Sequence, residues 1–88
     1  MLFLVIESFR DRDFRSVGQR FRSLGRMLPN GVAYQASWVD SVGARCFQIM
    51  EARDREILTA WTSRWDDLID FEIVPVRTSA EFWSETGA

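Results

Sequence analysis

The stretch Ile69-Asp-Phe-Glu-Ile-Val-Pro-Val-Arg77 decides how the rest of the chain is read. Its β-branched and aromatic residues mark a strand. Pro75 has no N–H to give to a ladder, so that strand belongs at the edge of a sheet. Working back from it, Ile57, Leu58, Trp61, Trp65 and Leu68 recur at helical spacing behind Asp54, a capping residue, with Glu56 placed well for the helix dipole. Before that helix come two more β-rich runs, Val32–Ser41 (VAYQASWVDS) and Ala44–Ala52 (ARCFQIMEA), with Gly43 at the bend of a hairpin. A second amphipathic helix carries Phe14, Val17, Phe21, Leu24 and Leu28 among arginines and ends between Gly25 and Gly31, where Pro29-Asn30-Gly31 cannot continue it. The nearly continuous apolar run Leu2–Phe9 (LFLVIESF) reads as a strand buried on both faces.

The predicted order is β-α-β-β-α-β, an α+β ferredoxin-like pattern. It implies a four-stranded antiparallel sheet in order 4-1-3-2 with two helices on one face. This places the strand with Pro75 at an edge, as its chemistry demands. Ser79–Thr86 is expected to add a frayed final turn carrying Phe82 and Trp83. With 88 residues there is room for one core, so residues 1–88 are read as a single domain. A hydrophobic content of 47%, with four tryptophans and seven phenylalanines, is too high for a disordered tail.

Absences bound the chemistry further. There is no histidine, which removes Ser-His-Asp and Cys-His triads, histidine zinc sites and histidine-ligated haem. All 11 basic residues are arginine, so no Schiff-base or P-loop lysine exists. A single cysteine, Cys46, suits a reducing compartment, and no apolar run approaches the roughly 20 residues of a membrane span. The expected location is cytoplasmic. A net charge of −2 speaks against nucleic acid as a partner, although Arg10–Arg26 holds six arginines against Asp11 and Asp13 and could steer an anionic ligand.

Both faces of the sheet read as apolar. Pairing the central strands with Glu7 opposite Arg45 puts Phe3, Val5, Phe47 and Ile49 on one face beside that ion pair. The other face then holds Leu2, Leu4, Ile6, Cys46, Gln48 and Met50, joined by Tyr34, Ala36 and Trp38 if Trp38 lies opposite Cys46. Helices can cover only one of these. Burying about 600 Å² of the second at roughly 25 cal/mol per Å² gives on the order of 15 kcal/mol, against an association cost of about 4–15 kcal/mol. A homodimer through the sheet face is therefore expected. The competing arrangement folds the Phe82-Trp83 segment back over that face in a monomer.

Five blocks sharpen this reading: the opening LFLVIESF, the helix-exit GRMLPNG, SWVD, CFQIME and the closing DFEIVPV. In this order they resemble the bacterial domain-of-unknown-function family 3303, from Met1 to about Ser79. The resemblance implies membership of the dimeric α+β barrel superfamily, in which two ferredoxin-like subunits pack sheet against sheet. It carries no catalytic motif. Relatives in that superfamily include cofactor-free monooxygenases, muconolactone isomerases, chlorite-degrading haem enzymes and amino-acid-sensing domains, so the fold leaves function open.

The candidate ligand-binding residues are Tyr34, Trp38, Cys46, Gln48 and Met50, polar groups among aromatic and sulfur side chains. Gln48 needs hydrogen-bond partners, which a ligand, a water, a backbone group or its own counterpart across a dimer could supply. Cys46 reads as a small buried hydrophobe. Glu7, Glu51 and Glu72 are carboxylates on strands, one of which could act as a base if buried, although Glu7 is expected to pair with Arg45. Asp66, Asp67 and Asp70 lack the spacing of a calcium loop and read as a solvated helix end. Trp61 and Trp65, one helical turn apart, could stack on a planar ligand but read first as core packing. The sequence thus predicts a small-ligand-binding protein with no metal or organic cofactor, its ligand aromatic or anionic. Its chemistry would be cofactor-free oxygenation or isomerisation, or else it is a non-catalytic sensor or interaction module.

Overall fold

A computed structural model describes residues 1–87. Strand β1 (Leu2–Phe9) runs through a short 3-10 turn at Arg10–Arg12 into helix α1 (Phe14–Leu24). Strands β2 (Val32–Val39) and β3 (Arg45–Ala52) form the hairpin, followed by helix α2 (Arg55–Thr62), strand β4 (Ile69–Val76) and helix α3 (Ser79–Thr86). The sheet order is β2-β3-β1-β4, all neighbours antiparallel, so the expected ferredoxin-like topology holds. Pro75 sits in the edge strand β4 opposite Phe3.

Local chemistry sets the helix ends. Asp13 and Asp54 each accept a backbone N–H three residues on, from Ser16 and Ile57 at 3.1 Å, and so start α1 and α2. Gly25 stops α1 at φ 67°, a conformation that costs glycine no side-chain clash. Helix α2 is shorter than its apolar spacing suggests, ending at Thr62. Trp65 and Leu68 lie in the turns that follow, where Trp65 N–H reaches the Thr62 carbonyl and Leu68 N–H that of Trp65, both at 2.9 Å. Short-range bonds of this kind keep both side chains on the inward side without a continuous helix.

The register differs from the expected one by a single residue. Glu7 lies opposite Cys46, and Arg45 lies opposite Ser8. Side chains alternate with period two, so this step exchanges the faces of all of β3 relative to β1. Phe3, Val5 and Glu7 share the helix-covered face with Cys46, Gln48 and Met50, while Leu2, Leu4 and Ile6 share the open face with Phe47 and Ile49. The expected Glu7–Arg45 pair does not form. Arg45 instead approaches Asp40 at 3.8 Å on the surface, and this register leaves the arginine in water while Cys46, Gln48, Met50 and Ala52 are buried. Trp38 lies opposite Phe47 rather than Cys46. A bulge between Tyr34 and Ala36 puts Tyr34 opposite Met50 on the helix side, and Trp38 on the open face with 60% of its surface exposed.

The core lies between the sheet and α2. Phe3, Val5, Met50, Leu58, Trp61 and Ile69 are buried there, and Trp61 meets Phe71 edge to face at 5.6 Å. Helix α1 is held more loosely: none of its residues is buried, and Phe14, Phe21 and Leu24 remain exposed. Its anchors are Val17, packed against the core, and Arg20, which forms a two-pronged ion pair with Asp67 at 2.7 Å per bond. The C-terminal segment is a full helix capped by Thr78, not a frayed turn, and Ser79–Thr86 are exposed throughout. On the open face, Leu2, Leu4, Ile6, Phe47, Ile49, Val74 and Val76 all stay partly exposed in the single chain.

Candidate functional site

Because α1 stands off the sheet, a cavity of about 200 Å³ opens between them. Its floor carries the polar groups Glu7 from β1 and Gln48 from β3, with the Cys46 side chain beside them. Its wall is apolar, made by Trp61, Trp65 and Ile69, and its rim carries Phe21 and Arg26. Such a mixture of apolar wall and a few convergent polar groups is the usual make-up of a ligand pocket, here at the small end of the range.

Glu7 is 5% exposed, a rare place for a carboxyl group. Burial drives its pKa up from 4.5 to about 7, against the opposing effects of the Gln48 hydrogen bond and the Arg26 charge. Gln48 amide Nε2 donates to Glu7 Oε2, and Gln48 Oε1 accepts from Arg26 Nε at 3.5 Å. The amide thus bridges a carboxyl and a guanidinium. Arg26 leaves the end of α1 and lays its guanidinium 3.5 Å from the centroid of the Tyr34 ring and 5.0 Å from that of Phe21. Its own backbone carbonyl accepts both Trp61 Nε1, at 2.7 Å, and Trp65 Nε1, at 3.1 Å.

The five residues expected to bind ligand are not together. Cys46 and Gln48 line the cavity, and Tyr34 stands at its rim through Arg26, with its hydroxyl 2.7 Å from Ser37 Oγ. Met50 is wholly inside the core, and Trp38 is on the opposite face of the sheet. The Cys46 thiol is pushed up to about 12, first by burial and then by the Glu7 charge, so it packs as an apolar group with no thiolate to offer. Glu51 binds the chain's N-terminal amine at 2.8 Å, and Glu72 is exposed opposite Ile6. Asp67 and Asp70 are occupied by Arg20 and Arg10. Sequence reasoning did not single out Arg26, whose signals were its place in GRMLPNG just after a helix and at the end of the basic Arg10–Arg26 run. For Trp61 and Trp65 it preferred core packing over stacking on a planar ligand, whereas they are both buried in the core and part of the cavity wall.

These features define a class: a ferredoxin-like α+β domain whose helix-covered face encloses a buried, bridged carboxyl group. The chain belongs to the family described as a domain of unknown function, DUF3303, whose model matches residues 1–85. Neither the curated proteins nor the solved structures contain a match to it.

Proposed function

We propose that this protein binds a small, largely apolar aromatic ligand in the cavity beneath α1, and that Glu7 moves a proton on it. The supporting observation is a buried carboxyl group with a pKa near 7 on the floor of an apolar cavity. A group so tuned exchanges its proton readily at neutral pH, which is what a general acid–base catalyst requires. Glu7 in its ionised form takes a proton from an acidic C–H or O–H of the ligand. Returning that proton to a neighbouring atom isomerises the ligand; alternatively the carbon of the resulting carbanion or enolate forms a C–O bond with dioxygen, and the peroxide anion so made takes the proton back from Glu7, an oxygenation without a cofactor. Gln48 and Arg26 orient the carboxyl and stabilise the negative charge that develops on the ligand. The working unit is a homodimer of the dimeric α+β barrel kind, the open sheet faces packed together, because Phe47, Ile49 and their neighbours form an uncovered apolar surface in one chain. A sensor that binds the same ligand without turning it over is the second reading, supported by the bond between Glu7 and Gln48 that already occupies one carboxyl oxygen.

The test titrates phenols, quinones and aromatic acids into the protein while following the Trp61 and Trp65 indole N–H resonances. Saturable shifts are expected, with thermal stabilisation of about 2.7 kcal/mol at a ligand concentration 100 times Kd. For a ligand that binds, solvent-deuterium incorporation then separates the two readings. Incorporation or dioxygen uptake lost in Glu7→Gln supports catalysis, and binding with neither leaves the sensor. No indole shift with any class would remove the pocket reading.

A further inference from the structure

We infer that the ligand of this cavity is a compact aromatic carboxylate, held by Arg26 at the rim with its ring against Trp61 and Trp65. The inference rests on the pocket proposed above and adds the charge and the anchor. Among the described residues Arg26 stands apart from the other arginines. Arg10, Arg20, Arg45, Arg53 and Arg77 each face a carboxylate. Arg55 and Arg64 are bonded to backbone carbonyls, and Arg12, Arg15 and Arg22 are exposed to water. Arg26 is half-buried, borders the cavity and has no carboxylate within ion-pair distance among these residues. Its one side-chain hydrogen bond is the long Nε contact to Gln48, which leaves the two terminal nitrogens of the guanidinium without a protein acceptor among the described residues.

The guanidinium is also oriented. Its central carbon lies 3.5 Å from the centroid of the Tyr34 ring, a close contact that restricts its movement while the terminal nitrogens keep their capacity to donate to a ligand. A planar fork of this kind matches a carboxylate with two parallel hydrogen bonds. A bare inorganic anion would leave the apolar wall of Trp61, Trp65 and Ile69 against water, whereas a ring covers it. The groups facing Arg26 set the pH behaviour. Glu7 is the titratable one near neutrality, Gln48 is uncharged, and Cys46 keeps its proton. Below about pH 7 Glu7 is neutral and the site carries a net positive charge. Above it the carboxylate opposes a second anion, so affinity falls as Glu7 ionises, and proton abstraction is confined to the pH range near 7 where both forms of Glu7 are populated.

The experiment compares benzoate with its neutral counterpart benzamide, and with inorganic phosphate, by NMR titration at about pH 6 and about pH 8.5. Benzoate is expected to bind roughly tenfold or more tightly than benzamide at the lower pH, as a charge-assisted bidentate contact demands. That ratio should fall to about one in Arg26→Gln and be kept in part by Arg26→Lys. It should also shrink at the higher pH in the wild type but not in Glu7→Gln. Phosphate binding as tightly as benzoate would overturn the aromatic part. A benzoate-to-benzamide ratio near one in the wild type, or a ratio unchanged in Arg26→Gln, would overturn the carboxylate assignment while leaving the pocket intact. Failure of both ring compounds to shift the indole signals at about 10 mM would remove the pocket and this inference together. The backbone carbonyl that receives both indoles is untouched by these substitutions, and the wild-type ratio decides the matter even if one variant fails to fold.

Discussion

Replacing Glu7 by glutamine keeps the shape and the bond from Gln48 while removing the titration. In the folded protein the carboxyl pKa is about 7, and its ordinary value is 4.5. Between these values the native state holds a proton that the unfolded chain has released, so stability falls as pH rises. Below pH 4.5 both states are protonated and the loss is absent. Above pH 7 both are ionised and it is complete. At 1.36 kcal/mol per pH unit the wild type should lose about 3 kcal/mol across that window from this residue. The Glu7→Gln variant should not. Asp13, Asp40, Asp54 and Asp67 are shifted the other way, held below 3.8 by hydrogen bonds and, for Asp67, by Arg20. Their stabilisation is present above that value and disappears as pH falls through lower values, outside the window. Urea denaturation of both proteins at matched concentration, at several pH values from about 4 to about 8, measures the difference directly. On a thermal scale it corresponds to between about 12 and 24 °C for a domain of this size. Parallel stability curves for wild type and variant over that range would refute the reasoning, since they would mean that Glu7 titrates normally in the fold.

Two further outcomes are expected. Cys46, buried with its thiol at about 12, should react with an aromatic disulfide reagent at about pH 8 far more slowly in the native protein than in denaturant, and equal rates would contradict its burial. Ile49→Arg, which sets a charge in the middle of the open sheet face, should convert the proposed dimer to a species of 10.3 kDa in sedimentation experiments without unfolding it, and an unchanged mass would remove that interface.

The strand and helix order was legible because the periods change cleanly along the chain and because Pro75 demands an edge. The phase of the central pair was not. In LFLVIESF and CFQIM apolar residues stand at odd and even positions alike, so alternation gives no preference, and matching Glu7 to Arg45 was the reasonable charge argument. The fold instead buries Glu7 beside Gln48, an arrangement that incurs desolvation against a neutral partner and therefore leaves no trace in charge pairing. The bulge between Tyr34 and Ala36 is equally silent, since one extra residue leaves composition and spacing plausible in either arrangement, yet it separates Tyr34 from Trp38. Arg26 was out of reach for a third reason. Its role depends on α1 standing off the sheet, and an amphipathic stripe of Phe14, Phe21 and Leu24 suggests close packing instead.

The Arg26 carbonyl oxygen, which receives both indoles, ties the lip of the cavity to its back wall through a single atom. A rotation of the peptide linking Arg26 to Met27, whose φ is 59°, would swing that oxygen away from Trp61 and Trp65 in one motion. The two tryptophans therefore gain or lose their shared acceptor jointly, so the entrance and the interior behave as one mechanical unit.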